Sequence, residues 1–259
     1  MPTASWIMRS QAQPRLRLFC FPYAGGGASI FRFWPERLPP EVEVCPIYLP
    51  GREIRLREPL FTRLPPLVET LDHALSPYMD VPFAFFGHSM GALICFELAR
   101  HLRKNRKPGP THLFVAAHSA PQIPLSDPPM HLLPEPDFID ALHRLGGTPS
   151  AVLEHEELMQ LLLPTLRADF AINETYVYTH DMPLGAPITA FGGEHDDEVS
   201  VQDVAAWRTQ TRSAFKLNIL PGKHFFIHNE QDLLLQLIAQ DLTKLLSSLS
   251  PHQSPQSCI

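Results

Sequence analysis

The chain has 259 residues, 44 % hydrophobic and 19 % charged, an ordinary globular usage that excludes a coiled coil or an extended disordered chain. That length suits one large domain carrying an elaboration. A formal charge of −6 argues against nucleic acid or an anionic membrane surface as the main partner.

Residues 1–15 hold no continuous apolar stretch, so no secretory signal is expected. The cysteines (20, 45, 95 and 258) lie far apart with no Cys-x-x-Cys, which reads as reduced thiols and a cytoplasmic location. No apolar run approaches the ~20 residues of a membrane span. Strand-like segments are predicted at 15–21, 41–48, 83–86, 112–117, 188–191 and 215–220, each apolar or alternating. Between them fall helical patterns at 66–79, 90–104 and 200–211, the last opening on the capping pair Ser200 and Asp203. A leucine-rich amphipathic helix at 229–246 closes the chain. Alternating strand and helix implies an α/β fold, a mostly parallel central sheet with helices on both faces.

One stretch breaks the alternation. Residues 121–180 show no strand; they open on a run of prolines and continue as helical pieces at 138–145, 153–163 and 166–178. This reads as a helical lid inserted over one end of the sheet. A single domain is therefore expected over 1–249, with a polar, disordered tail at 250–259.

Gly87-His88-Ser89-Met90-Gly91 fits G-x-S-x-G with an apolar strand before it and a helix after it, the setting a nucleophile elbow needs. A serine hydroxyl requires a base to take its proton, and in this architecture acid and histidine follow the serine in chain order. Asp196 and Asp197 both stand on the loop after the strand at 188–191; Asp196 is preferred because its spacing leads into the capped helix. His224 stands at the end of the strand at 215–220 and is the preferred base, with His228 and His195 as rivals. The oxyanion donors expected are the backbone N–H of Met90 and that of Ala24, in the glycine loop Tyr23-Ala24-Gly25-Gly26-Gly27. Eight of the 13 glycines fall in the loops around these residues, where they would let backbone approach a reacting acyl group. No metal and no cofactor is called for.

Phe-Pro-Tyr-Ala-Gly-Gly-Gly at 21–27, Leu-Pro-Gly-Arg-Glu at 49–53, the elbow, Gly-Gly-x-x-Asp-Asp at 192–197 and Pro-Gly-Lys-His-Phe-Phe at 221–226 resemble the type II thioesterases. These are stand-alone α/β-hydrolases that accompany non-ribosomal peptide and polyketide synthases, with relatives that end fatty-acid chains. The resemblance runs from about Leu16 to Leu246. It implies an α/β-hydrolase fold with Ser89, Asp196 and His224 as the triad. It also implies an editing role, hydrolysing acyl groups from the phosphopantetheine arm of acyl or peptidyl carrier proteins. On that footing Leu132, Leu133, Phe138, Leu142 and Phe170 would line the acyl pocket, unless they are simply the lid's own core. Arg52, Arg55, Arg57 and Arg63 would meet an acidic carrier, unless the Leu-Pro-Gly-Arg-Glu turn merely braces the catalytic loop. The run at 103–107 (Arg-Lys-Asn-Arg-Lys) is a second basic cluster, read as a solvated helix end. A monomer is expected. A carboxylesterase or lipase-like hydrolase would share every catalytic residue, and a catalytically idle binding protein of this fold is the remaining alternative.

Overall fold

A computed structural model describes residues 5–8, 13–124 and 128–249; the tail expected at 250–259 lies outside the described residues. Six strands form one sheet: β1 (Leu16–Phe21), β2 (Val42–Pro46), β3 (Phe83–His88), β4 (His112–Ala116), β5 (Ile188–Gly193) and β6 (Phe215–Leu220). Their order is β2-β1-β3-β4-β5-β6 and each pairing is parallel. The crossing helices cover both faces, so most strand residues are buried whichever way they point. Phe19, Phe21, Phe83 and Phe85 face α1 (Leu64–Leu75) and α2 (Met90–Lys104). Leu16, Leu18, Cys20, Ala84 and Phe86 face the turns at 28–31 and 34–36 together with α8 (Gln231–Ser248). Arg17 is a buried exception on β1, satisfied by the Glu43 carboxylate at 2.8 Å and the Tyr78 carbonyl at 2.7 Å.

Helix α1 buries Leu67, Leu71 and Leu75 as its stripe requires, while Tyr78 falls in the following 3-10 turn rather than in the helix. Ser200 caps α6 (Val201–Ala205) by accepting from the Asp203 N–H at 3.1 Å. The expected helix at 200–211 ends early and continues as 3-10 turns to Gln210. The expected final helix is α8, preceded by a short separate helix, α7 (Phe226–Asn229).

Between β4 and β5 the chain makes a 3-10 turn (Met130–Leu132), α3 (Glu135–Leu145), α4 (Ser150–Leu153) and α5 (Glu156–Glu174). The two helical pieces expected at 153–163 and 166–178 are largely one helix, running through Pro164. Proline there costs one backbone hydrogen bond, and burial of residues on both sides of it, Met159, Leu163, Leu166 and Ile172, keeps the helix continuous. Phe138, Leu142, Leu153, Met159, Leu163 and Leu166 form a separate small core, with Leu133 and Phe170 packed against it. Phe138 meets Phe170 edge-on at 5.7 Å and carries the Arg167 guanidinium over its ring. Phe138 and Leu142 thus belong to the insertion's own core, with Leu133 and Phe170 against it, while Leu132 is 71 % exposed. A short helical cap needs such an apolar centre of its own. No helix among the described residues is long and apolar enough to cross a membrane.

Candidate active site

Because the strands are parallel, the loops that leave β1, β3, β5 and β6 all emerge at one edge of the sheet, where α/β folds build their sites. The β3–α2 turn places Ser89 at φ 52 and ψ −120, a backbone conformation that a non-glycine residue adopts only under constraint. The constraint is visible. The Ser89 N–H donates to the Ala116 carbonyl at 2.8 Å and its own carbonyl accepts from Ala92 at 2.8 Å. A Cβ on Gly87 would overlap the Gly91 backbone, and one on Gly91 would overlap the Phe21 carbonyl. The two glycines of the elbow thus let helix, strand and neighbouring loop pack, and Ser89 is left half-buried at the edge.

The acid and base loops are stitched together. Glu194 N–H donates to Leu220 at 2.8 Å and His195 N–H to Gly222 at 2.9 Å. His224 Nδ1 lies 3.0 and 3.2 Å from the two Asp196 oxygens. Asp196 has a fully buried side chain, and its Oδ1 also accepts from the Glu198 and Val199 N–H groups at 2.9 and 3.1 Å. A carboxylate so placed assigns the proton to Nδ1 and leaves Nε2 as the basic nitrogen. Asp197, the alternative, points to solvent and pairs with Lys223 at 2.8 Å. The rival histidines are spoken for or misplaced: His228 Nε2 contacts the Tyr23 hydroxyl at 2.8 Å, and His195 is exposed. Among the described residues no hydrogen bond joins the Ser89 hydroxyl to the His224 ring, a contact that often tightens only with substrate bound.

His88 precedes Ser89 in the turn, its ring 5.7 Å from that of His224 and enclosed by Tyr23, Phe225 and Phe226. The backbone of His224 comes near it without the geometry of a hydrogen bond. Burial, helped by His224, pushes its pKa well below the ordinary histidine value, so His88 is a neutral wall beside the His224 ring. Ala24 sits in a turn closed by Gly26 N–H on the Tyr23 carbonyl at 2.9 Å, and Met90 opens α2. No group of three His, Cys, Asp or Glu side chains among the described residues could hold a metal ion.

The family model for the Thioesterase domain matches residues 16–242. The chain belongs to the thioesterase family. It is 48 % identical to the gramicidin S biosynthesis protein GrsT of Aneurinibacillus migulanus over 90 % of this chain and 91 % of that one. Among solved structures, the RedJ thioesterase of the prodiginine pathway in Streptomyces coelicolor superposes with a TM-score of 0.84 at 39 % identity, covering 88 % of this chain and 91 % of that one. The type II thioesterase BorB of the borrelidin cluster gives 0.83 at 34 % identity, covering 93 % and 99 %.

In this thioesterase the Leu-Pro-Gly-Arg-Glu turn is interior. Arg52 is 7 % and Arg55 3 % exposed, which removes both from the carrier-facing set. Arg55 donates to the Tyr48 carbonyl at 2.8 Å, pairs with Glu58 and stacks on Trp6. Arg52 forms a two-pronged pair with Asp169 of α5, at 2.6 and 2.7 Å, and donates to the Gly26 carbonyl at 3.0 Å. Glu53 accepts from the Ala28 and Ser29 N–H groups at 2.9 and 3.0 Å. The glycine loop is narrow for the same reason: a Cβ on Gly25 would lie 2.5 Å from Leu166, and one on Gly27 would overlap Glu53. Its glycines make room for protein as much as for substrate. Arg57 and Arg63 remain exposed. In the second basic cluster Arg103 pairs with Asp181 and Lys107 with Asp72. Sequence reasoning missed Asp169 and Thr165, whose signal was slight: polar residues on an otherwise apolar face of a helix.

Proposed function

We propose that this thioesterase frees acyl groups from the phosphopantetheine arm of carrier proteins that serve a peptide or polyketide synthase. Ser89 is the nucleophile, His224 the base, Asp196 the orienting acid, and the Met90 and Ala24 N–H groups the oxyanion donors. The observation that carries the reading is the 3.0 Å contact between Asp196 and His224 at the sheet edge that also bears the strained Ser89 elbow. The likeness to RedJ, of a prodiginine pathway, and to BorB, a type II thioesterase, supports the substrate class.

His224 Nε2 takes the Ser89 proton as the oxygen attacks the thioester carbonyl. The oxyanion is stabilised by the two N–H groups. On collapse the C–S bond breaks, and the imidazolium returns its proton to the pantetheine thiolate. Water then adds to the acyl-serine with His224 again taking a proton, and collapse releases the acid and restores the Ser89 hydroxyl. Each site residue comes from one chain, so a monomer suffices. A cavity of about 480 Å³ lined by Leu93, His118, Ile123, Asn173 and Tyr178 lies beside α2, one turn along from the elbow, and is the candidate space for the acyl chain. Arg57 and Arg63 are the candidate contacts for an acidic carrier.

Turnover of a panel of acyl groups on a carrier protein, on coenzyme A and on a p-nitrophenyl ester tests this. The carrier-bound thioester is expected to have the highest kcat/KM, and Ser89→Ala or His224→Ala to lose several orders of magnitude. Preference for the aryl ester would overturn the carrier reading. Retention of a tenth of the activity by Ser89→Ala would overturn the nucleophile.

A further inference from the structure

We propose that Asp169, on insertion helix α5, is a positioning residue for the oxyanion loop, so that the seating of the insertion and the placement of the Ala24 N–H are one event. The proposal rests on the reading of Ser89 as nucleophile and Ala24 as oxyanion donor.

Asp169 is almost fully buried and its two oxygens serve three donors. Oδ2 accepts from the Gly25 N–H at 2.7 Å and from Arg52 Nη1 at 2.6 Å; Oδ1 accepts from Arg52 Nη2 at 2.7 Å. Arg52 Nη1 also donates to the Gly26 carbonyl, two peptides further along that loop. The Gly25 N–H belongs to the peptide that follows Ala24, so the carboxylate fixes the plane immediately adjoining the donor. Gly25 is at φ 78, where an isolated loop has many alternatives; here the bond to Asp169 selects one. With α5 displaced, the Arg52 guanidinium would lose its buried counter-ion and keep only the Pro50 and Gly26 carbonyls as acceptors, a costly state. Seated helix and ordered loop therefore go together. An amide at this position keeps the shape but brings an NH₂ toward the guanidinium and accepts at one oxygen only.

Thr165 supplies the contrast. One turn earlier on the same helix, its hydroxyl donates to the Gly51 carbonyl at 2.8 Å, tying α5 to the body without touching the oxyanion loop.

The test compares wild type, Asp169→Asn and Thr165→Val by kcat and KM for a p-nitrophenyl ester, by affinity for a boronic acid that forms a tetrahedral serine adduct, and by denaturant midpoint. The ester reads the serine machinery whether or not carrier proteins are the natural substrate. Asp169→Asn is expected to lower kcat about 10- to 100-fold, less than the ~10²–10³ that outright removal of one oxyanion donor costs. KM should stay within about threefold, boronate affinity should fall in parallel, and Thr165→Val should keep kcat within about twofold. An Asp169→Asn protein with a lower midpoint but kcat within about twofold would overturn the proposal, as would an equal loss of kcat in Thr165→Val. Failure of the nucleophile reading would show separately, as ester turnover and boronate binding that survive Ser89→Ala.

Discussion

Two adjacent carboxylates show how much a single residue's surroundings decide. Asp196 and Asp197 stand side by side in sequence, yet one is fully buried against His224 and the other is 75 % exposed against Lys223. Replacing Asp196 with Asn is expected to lower kcat by about 10³–10⁴, as loss of the orienting acid does in such triads. Asp197→Asn should stay within about twofold, and steady-state kinetics of the pair checks both. Equal effects would mean that the acid has been misassigned. The meeting of Asp196 and His224 and the strained turn at Ser89 could be anticipated because these residues follow strands at a fixed edge and in a fixed order. Arg52 and Arg55 were not, because charge in a sequence says nothing about where a counter-ion waits. The partner of Arg52 lies 117 residues further along the chain, on the insertion.

Among the elements, the strand–elbow–helix unit from β3 to α2 is the tightest. Gly91 sits against the Phe21 carbonyl and the Pro22 oxygen, both backbone atoms that cannot swing aside. Gly91→Ala is expected to destabilise the fold by about 1–3 kcal/mol or more, the cost of overpacking, and to lower kcat by disturbing Ser89. Gly109→Ala, where an added Cβ meets nothing within 4 Å, should leave the denaturation midpoint unchanged. Strand positions and α2 could be read from periodicity. The extent of α5 could not, because Pro164 is a local stop signal that tertiary burial overrides. The short ends of α1 and α6 escaped for a related reason, since 3-10 turns carry the same apolar spacing as the last turn of a helix.

The molecule as a whole carries several histidines that its interior keeps neutral. His112 contacts the Thr189 hydroxyl at 2.8 Å and stacks on Phe114. Its pKa is pushed by burial down to about 4; burial lowers those of His88 and His118 as well. In the unfolded chain these rings titrate near ~6.5. Between pH 6.5 and 4 the unfolded state binds more protons, so stability is full above that window and falls as the pH drops through it. His112 alone would account for about 2 kcal/mol of the loss between pH 7 and 5. Urea denaturation of wild type and His112→Gln at the two pH values should show a smaller loss in the variant, and an equal loss would refute the argument. Pro164, inside α5, has a consequence at the same scale. Met159 and Leu163, before Pro164, belong to the small core of the insertion. Thr165 and Asp169, after it, bond to the 51–52 turn, and Asn173 lies 3.0 Å from His118 Nε2. The missing N–H between the two sets makes this the helix's point of least bending stiffness. Leu166 and Phe170, beyond the proline, pack into the same small core, so burial across that soft point splints the two halves into one stem.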